Sequence, residues 1–309
     1  MFRNNKDIKY GYETSKFLKL KKNHYITKEE TLKNFLIVGR EAQKAQRSFI
    51  EKYLEVKSGF ILFDFSEDDS YLDNIKKIIS VYKREDDLVE FKGIDDEKLF
   101  DINEIIIKNK ILIIKSNNHE IEKIFLIFES MNNNKELGYP LFLNEWNIDF
   151  YKSEQLKDGV SLLNSKNVSL YLTKDNFFHY GDGLKGYYDT LEWSLSSGET
   201  DDHNIKSDNK KTFLNKAEIW SNILGYSFKN IVITRISKDE TIFMLSVWGM
   251  IYESFYAPKE QDKEKIKFHK MKRINMRDFY NLPNNNFRVF KSHEIFFQKY
   301  TFHEPKSNH

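Results

Sequence analysis

The stretch FLIVGREAQKAQ, residues 35 to 46, has the outline of a phosphate-binding loop. Four apolar residues run into Gly39, and an amphipathic segment follows. A working loop of the G-x-x-x-x-G-K-[ST] type needs a second glycine so that backbone N–H groups can curl around phosphates. It also needs a lysine for the β and γ phosphates and a hydroxyl for Mg²⁺. Counted from Gly39, those three places hold Lys44, Ala45 and Gln46. Arg40 and Lys44 keep positive charge near the start of the coming helix, where an anion could meet it. By these residues alone, an ordinary strand–helix turn is the simpler reading.

Two other strand ends carry polar groups that could complete such a site. The run YPLFLNEW, from Tyr139, ends in Asn144-Glu145. A nucleotide hydrolase would have an aspartate there to hold the metal shell, and a glutamate to polarise the attacking water. Asn144 keeps the shape and loses the charge, while Glu145 remains. The run NVSLYLTKD, from Asn167, ends in Lys174-Asp175, where a polar side chain could sense a γ-phosphate. If the two strands are neighbours, an ion pair between Lys174 and Glu145 would neutralise both and fill phosphate space.

Other chemistries find less support. The eight histidines show no metal-ligand spacing, and no G-x-S-x-G elbow is present. Asp64, Glu67, Asp68 and Asp69 cluster after a strand, in a pattern that suits a helix N-terminus better than a metal. The chain has no cysteine, which removes disulfides and thiolate chemistry and fits a reducing compartment. The net charge of +2 gives no general argument for nucleic acid. The N-terminal segment lacks a signal-peptide core, and no apolar run is long enough to span a bilayer.

These residues need a scaffold. Apolar runs at Phe35–Val38, Phe60–Phe63, Leu88–Phe91, Ile111–Ile114, Leu141–Leu143, Val168–Leu172 and Ile231–Thr234 read as strands. Several are continuous, as expected for strands buried on both faces. Helical periodicity separates them at Glu41–Lys57, at Tyr71–Tyr82 and from Ile121 to Phe128. Ser70 and Asp73 have the spacing of a capping box, and Asn117 or Asn118 would open the third helix. The alternation predicts an α/β domain with a mostly parallel sheet. Thr241–Tyr256, around Trp248, reads as an antiparallel hairpin at the sheet edge. Ser196–Lys211 reads as a polar, mobile loop, and Lys259–Arg277 as a basic, solvated stretch.

The order of these pieces resembles the ATPase domain of the TraG/TraD-like coupling proteins of conjugation and type IV secretion. YGYETSKFLKLKKNHYITKEETLKNFLIVG looks like that family's β lead-in and first strand. SGFILFDFSEDDSYLDNIKKIISVYKREDDLVEF is similar to its strand–acid–helix segment, with the Arg84–Asp87 turn. LFLNEW and NSKNVSLYLTKDNF stand in the places of the Asp-Glu and sensor strands. TIFMLSVWGMIYESFYAPK resembles the closing hairpin, ending at Phe255–Pro258. The resemblance runs from about residue 10 to residue 275.

It implies a RecA-like P-loop fold with three regions. Residues 1–34 would be the N-terminal β lead-in, 35–258 a degenerate ATPase domain with the family's all-α insertion largely absent, and 259–309 a charged C-terminal extension. The departures imply lost catalysis: a vestigial loop of Gly39, Arg40, Lys44, Ala45 and Gln46, and a vestigial acid Glu145 beside Asn144 and Lys174. No metal and no cofactor are then expected. The resulting expectation is a pseudo-ATPase, a structural or regulatory component of a type IV secretion or conjugative transfer system. It would be cytoplasmic, reaching the inner membrane only through partners, and would assemble with itself or with other subunits of the machinery. Two alternatives stay open. One is an NTPase with an unorthodox loop, using ATP and Mg²⁺ to move DNA or protein. The other is a nucleic-acid or effector-binding adaptor.

Overall fold

A computed structural model describes residues 8–14, 21–26, 33–93, 101–116, 121–129, 131, 139–145, 153–175, 227–228, 230–238, 240–241, 277–291 and 298–302. Its centre is an 11-stranded sheet in the order β2-β1-β11-β10-β9-β3-β8-β7-β4-β6-β5. The strands are β1 (Ile8–Thr14), β2 (Lys21–Ile26), β3 (Phe35–Val38), β4 (Phe60–Asp64), β5 (Leu88–Lys92) and β6 (Ile111–Lys115). They continue with β7 (Tyr139–Asn144), β8 (Val168–Lys174), β9 (Asn230–Ile233), β10 (Asn286–Lys291) and β11 (Gln298–Phe302). From β9 to β5 every pairing is parallel. On the other side, β9, β10, β11, β1 and β2 pair antiparallel. This is an α/β RecA-like sheet: β8 lies between the loop-bearing strand β3 and β7, which carries Asn144-Glu145.

Helices cover both faces of the parallel part, so its strands are apolar on both sides. On one face lie α1 (Ala42–Glu55) and α2 (Ser70–Val81). Their Ala45, Phe49, Ile50, Tyr53, Ile75 and Ile79 join Phe35, Ile37, Phe60, Leu62, Phe142 and Tyr171 in one core. On the other face lie α3 (Ile102–Ile107), α4 (Ile121–Glu129) and α5 (Ser153–Ser165), packed on Leu36, Val38, Phe63, Leu143 and Leu172. The strand alternation decides which of the two cores each side chain enters. Aromatic contacts knit the first core. Phe35 stacks on Tyr171 at 4.7 Å, and the Tyr53 and Tyr171 hydroxyls are 2.7 Å apart.

The seven expected strands and three expected helices are all present. α3 and α5 were not anticipated. The capping box expected at Ser70 is replaced by another device. Ser70 is already helical, and Asp68 accepts from both its N–H (2.9 Å) and its hydroxyl (2.6 Å). Those two hydrogen bonds hold the Asp68 carboxyl below its usual range. The expected openers Asn117 and Asn118, the hairpin around Trp248, the loop 196–211 and most of the basic stretch 259–277 lie outside the described residues. The antiparallel C-terminal hairpin that is described is β10–β11. Strands from both the lead-in and the C-terminal region complete the sheet around the parallel core.

Candidate functional site

β3 ends at Val38, and the chain turns into α1 within Gly39–Glu41. The turn is tight because its backbone donors are satisfied inside the protein. Gly39 N–H donates to the Lys174 carbonyl (3.0 Å), and Arg40 N–H to the Arg235 carbonyl (2.9 Å). Ala42 N–H donates back to the Gly39 carbonyl (2.8 Å), and Glu41 N–H donates to Thr234 Oγ1 (3.2 Å). Of these donors, Ala42 N–H belongs to the first turn of α1, where an anion would meet the helix. Gly39 has φ +111, and a Cβ there would lie 2.5 Å from Thr234 Oγ1. The segment after β9 therefore occupies the space above the turn.

Of the loop residues that could have met a nucleotide, Lys44, Ala45 and Gln46 are engaged elsewhere. Helix α1 begins at Ala42, so Lys44, Ala45 and Gln46 are all helical. Lys44 Nζ donates to Asn285 Oδ1, and Asn285 N–H donates to Glu41 Oε2 at 2.8 Å. The turn before β10 thus sits against the start of α1. Ala45 is fully buried in the core. Gln46, also fully buried, donates to the carbonyls of Leu143 (3.3 Å) and Tyr171 (3.4 Å) and accepts from the Tyr71 hydroxyl. The Arg40 side chain is exposed.

A polar row crosses four parallel strands at their C-terminal ends. Register places Lys115 beside Asp64, Asp64 beside Asn144, and Asn144 beside Thr173. Asp64 is fully buried. It accepts from Asn144 Nδ2 (2.7 Å), from the Ser66 hydroxyl (2.8 Å) and from Lys115 Nζ (3.0 Å). Lys115 Nζ also lies 2.6 Å from the Asp68 carbonyl, 3.3 Å from Ser66 Oγ and 3.4 Å from Asp69 Oδ1. The ammonium therefore stands where a metal would have to sit in this acidic loop. Among the described residues, no group of three or more His, Asp or Glu side chains is placed to hold a metal ion.

Glu145 leaves β7 in a left-handed conformation (φ 55). Its Oε1 accepts from Gln43 Nε2 at 3.3 Å. Asp175, just beyond β8, acts on it as a second negative charge. Burial, and then the neighbouring Asp175, push the Glu145 carboxyl up to about 7, with Gln43 and Lys174 pulling the other way. Lys174 is only 9% exposed. Burial lowers its ammonium to about 8, against the charge of Glu145. Lys174 and Glu145, which the ion pair expected from the sequence would join, each act on the other's charge. What sequence reasoning missed are the roles of Gln43, Asp64 and Lys115. Those roles depend on the register of neighbouring strands, which no local pattern encodes.

Among the described residues, no helix is long and apolar enough to cross a membrane. No family model matches the chain, and no curated protein matches it. Solved structures give low-identity similarities. The genome packaging NTPase of Sulfolobus turreted icosahedral virus 2, in complex with AMPPCP, aligns at 9% identity. That alignment covers 88% of this chain and 99% of the other, with a TM-score of 0.45. The same NTPase in complex with ATP-gammaS aligns over 87% and 96%, at 9% identity and a TM-score of 0.46. EssC (ATPases 2 and 3) from Geobacillus thermodenitrificans aligns at 10% identity with a TM-score of 0.42, covering 98% of this chain and 45% of that one.

Proposed function

We propose that this chain is a pseudo-ATPase: a RecA-like domain that keeps the frame of a nucleotide motor without its catalysis. It would act as a structural or regulatory component of a transfer machine of the type IV secretion or conjugation kind. One observation carries the reading. The N–H groups of Gly39, Arg40, Glu41 and Ala42 all donate to groups of the protein itself. A phosphate would have to displace those bonds, and no lysine follows at position 45 to repay the loss.

The metal half of the site does not fit either. Gln46 is committed to two carbonyls and Tyr71, and Asn144 donates to Asp64 rather than standing as an anion. Transition-state stabilisation in phosphoryl transfer rests on positioning and charge, each contact being worth roughly a few kcal/mol. Losing the lysine, the metal-binding acid and the hydroxyl removes the larger part of it. The partners in this reading are subunits of the same machinery or further copies of the chain. The DNA or protein cargo would be engaged by the assembly.

Titration calorimetry with ATP and Mg²⁺ tests this directly. No binding heat up to millimolar nucleotide is expected. Metal-dependent hydrolysis that Glu145→Gln abolishes would establish the unorthodox NTPase instead. Tight DNA binding that weakens steeply with salt would favour the adaptor.

A further inference from the structure

β5 ends the sheet on its parallel side. β6 pairs with one of its edges, and among the described residues no strand pairs with the other. A free edge presents unpaired backbone N–H and C=O groups to any strand that fits. Gly93 sets the direction of those groups, because its N–H donates to the Lys115 carbonyl at the end of β6 (2.8 Å). Backbone groups alternate sides along a strand, so those of Val89 and Phe91 also face β6. Those of Leu88, Glu90 and Lys92 face outward. The side chains alternate between the two faces of the sheet. Glu90 and Lys92 are exposed, and Glu90 Oε2 lies 2.8 Å from Lys76 Nζ of α2. Val89 and Phe91 pack against the core of the opposite face.

We propose that this edge pairs antiparallel with β5 of a second copy of the chain, with Phe91 on the two-fold axis. Residues with outward backbone groups must oppose one another, so the axis falls on Val89, Glu90 or Phe91. On Val89, the charged Glu90 would meet Leu88 and no charge would be paired. On Glu90, two carboxylates would face each other. On Phe91, Glu90 lies opposite Lys92 twice, once on each side of the axis. Opposite charges directly across a strand pair stabilise it, and like charges oppose it. Lysines alone would blunt the edge; opposite signs two residues apart make it complementary to itself. The Phe91 rings then meet at a non-hydrogen-bonded position, where side chains of an antiparallel pair approach most closely. Gly93 comes opposite the partner's Val89, and a Cβ added at Gly93 meets no described atom within 4 Å, so that side is open. Val81 and Ile107, two of the three exposed large apolar side chains among the described residues, end the helices that lead into and out of β5. The pairing would supply the self-association in the proposed function, but it uses none of the residues of the nucleotide-like turn. Calorimetry with ATP therefore tests that function and leaves this inference untouched.

The test is sedimentation equilibrium of the full chain, with circular dichroism to check folding. The wild type should dimerise reversibly. Glu90→Lys or Lys92→Glu alone places like charges across the seam twice, and should raise the dissociation constant roughly tenfold or more. Mixing the two variants sets two lysines against two carboxylates and should restore a dimer, now containing one chain of each. The chain has no cysteine, so an introduced thiol reports the register. Phe91→Cys brings a thiol against its counterpart on the axis, within disulfide reach, and should give a covalent dimer under mild oxidation. Val89→Cys lies off the axis and should not. A wild type that is monomeric at every concentration would overturn the pairing. So would single charge variants that associate as the wild type does, a mixture that fails to recover the dimer, or equal cross-linking of the two cysteine variants. Glu90 and Lys92 are exposed, so the charge variants decide the question even if Phe91→Cys folds poorly.

Discussion

Asp64 shows how a single residue can change meaning once its neighbours are known. In sequence it belongs to an acidic cluster that a divalent cation could have claimed. In the structure it is fully buried and surrounded by donors, with the Lys115 ammonium as its counter-charge. Removing one partner of a buried ion pair leaves an uncompensated charge, which costs about 3–5 kcal/mol. Lys115→Met should lie near the lower end, because Asn144 and Ser66 still donate to Asp64. Urea denaturation measures it, and adding Asp64→Asn to Lys115→Met should recover part of the loss. Gly39 gives a second residue-scale prediction. Gly39→Ala meets both the positive φ and the Thr234 hydroxyl. It should destabilise by about 1–3 kcal/mol, with a lowered urea midpoint and no effect on ATP binding, which is already absent in this reading.

Among the elements, α1 decides the character of the site. It starts at Ala42, and the backbone donors of the turn before it already have partners inside the protein; in the proposed reading that turn does not wrap a phosphate. Restoring the missing residues should therefore not restore the function. Ala45→Lys would place an ammonium at a fully buried position in the aromatic core. It should destabilise the fold strongly, and calorimetry should still show no nucleotide binding. On the opposite face, α5 packs closely on α4 at Gly159, where an added Cβ would lie 2.0 Å from the Phe125 ring. Gly159→Ala should overpack this contact and cost about 1–3 kcal/mol, read from the thermal midpoint. The Arg84–Asp87 turn, part of the family resemblance, has a structural role. Arg84 pairs with Asp87 and donates to the carbonyl of Asn109 (2.7 Å), bracing the turn after α2 against the one after α3. Burial tends to raise the Asp87 carboxyl, but its bonds to Arg84 and Lys110 outweigh that and hold it low.

For the whole molecule, the sheet ties the two ends of the chain together. β10 and β11 link the parallel core to the N-terminal strands β1 and β2. Phe287 and Val289 of β10 are buried in the α1 face of the core, and the preceding turn anchors Lys44 and Glu41. Truncation after residue 276 should thus expose core surface and release the start of α1. Loss of near-ultraviolet circular dichroism and rapid proteolysis are the expected outcome. A stably folded truncation product would show that the parallel half is self-sufficient.

The parallel half was legible in the sequence because burial on both faces forces continuous apolar runs, such as FLIV and ILII, between helical periods. The antiparallel half was harder to read. β10 carries its buried Phe287 and Val289 in a short alternation among polar residues, and it lies in a region that reads as a charged extension. α3 is one short turn-rich segment, below the length at which helical period becomes distinct. The sequence by itself determined that Lys44, Ala45, Gln46 and Asn144 stand where a nucleotide site would need other chemistry, because identity at a spacing is a local property. Only the tertiary structure decided what took over those places. Hydrogen bonds from Gly39 to Lys174, from Gln46 to two strands and from Asn144 to Asp64 join residues far apart in the chain. Strand order and register bring these groups together, and no local pattern carries either.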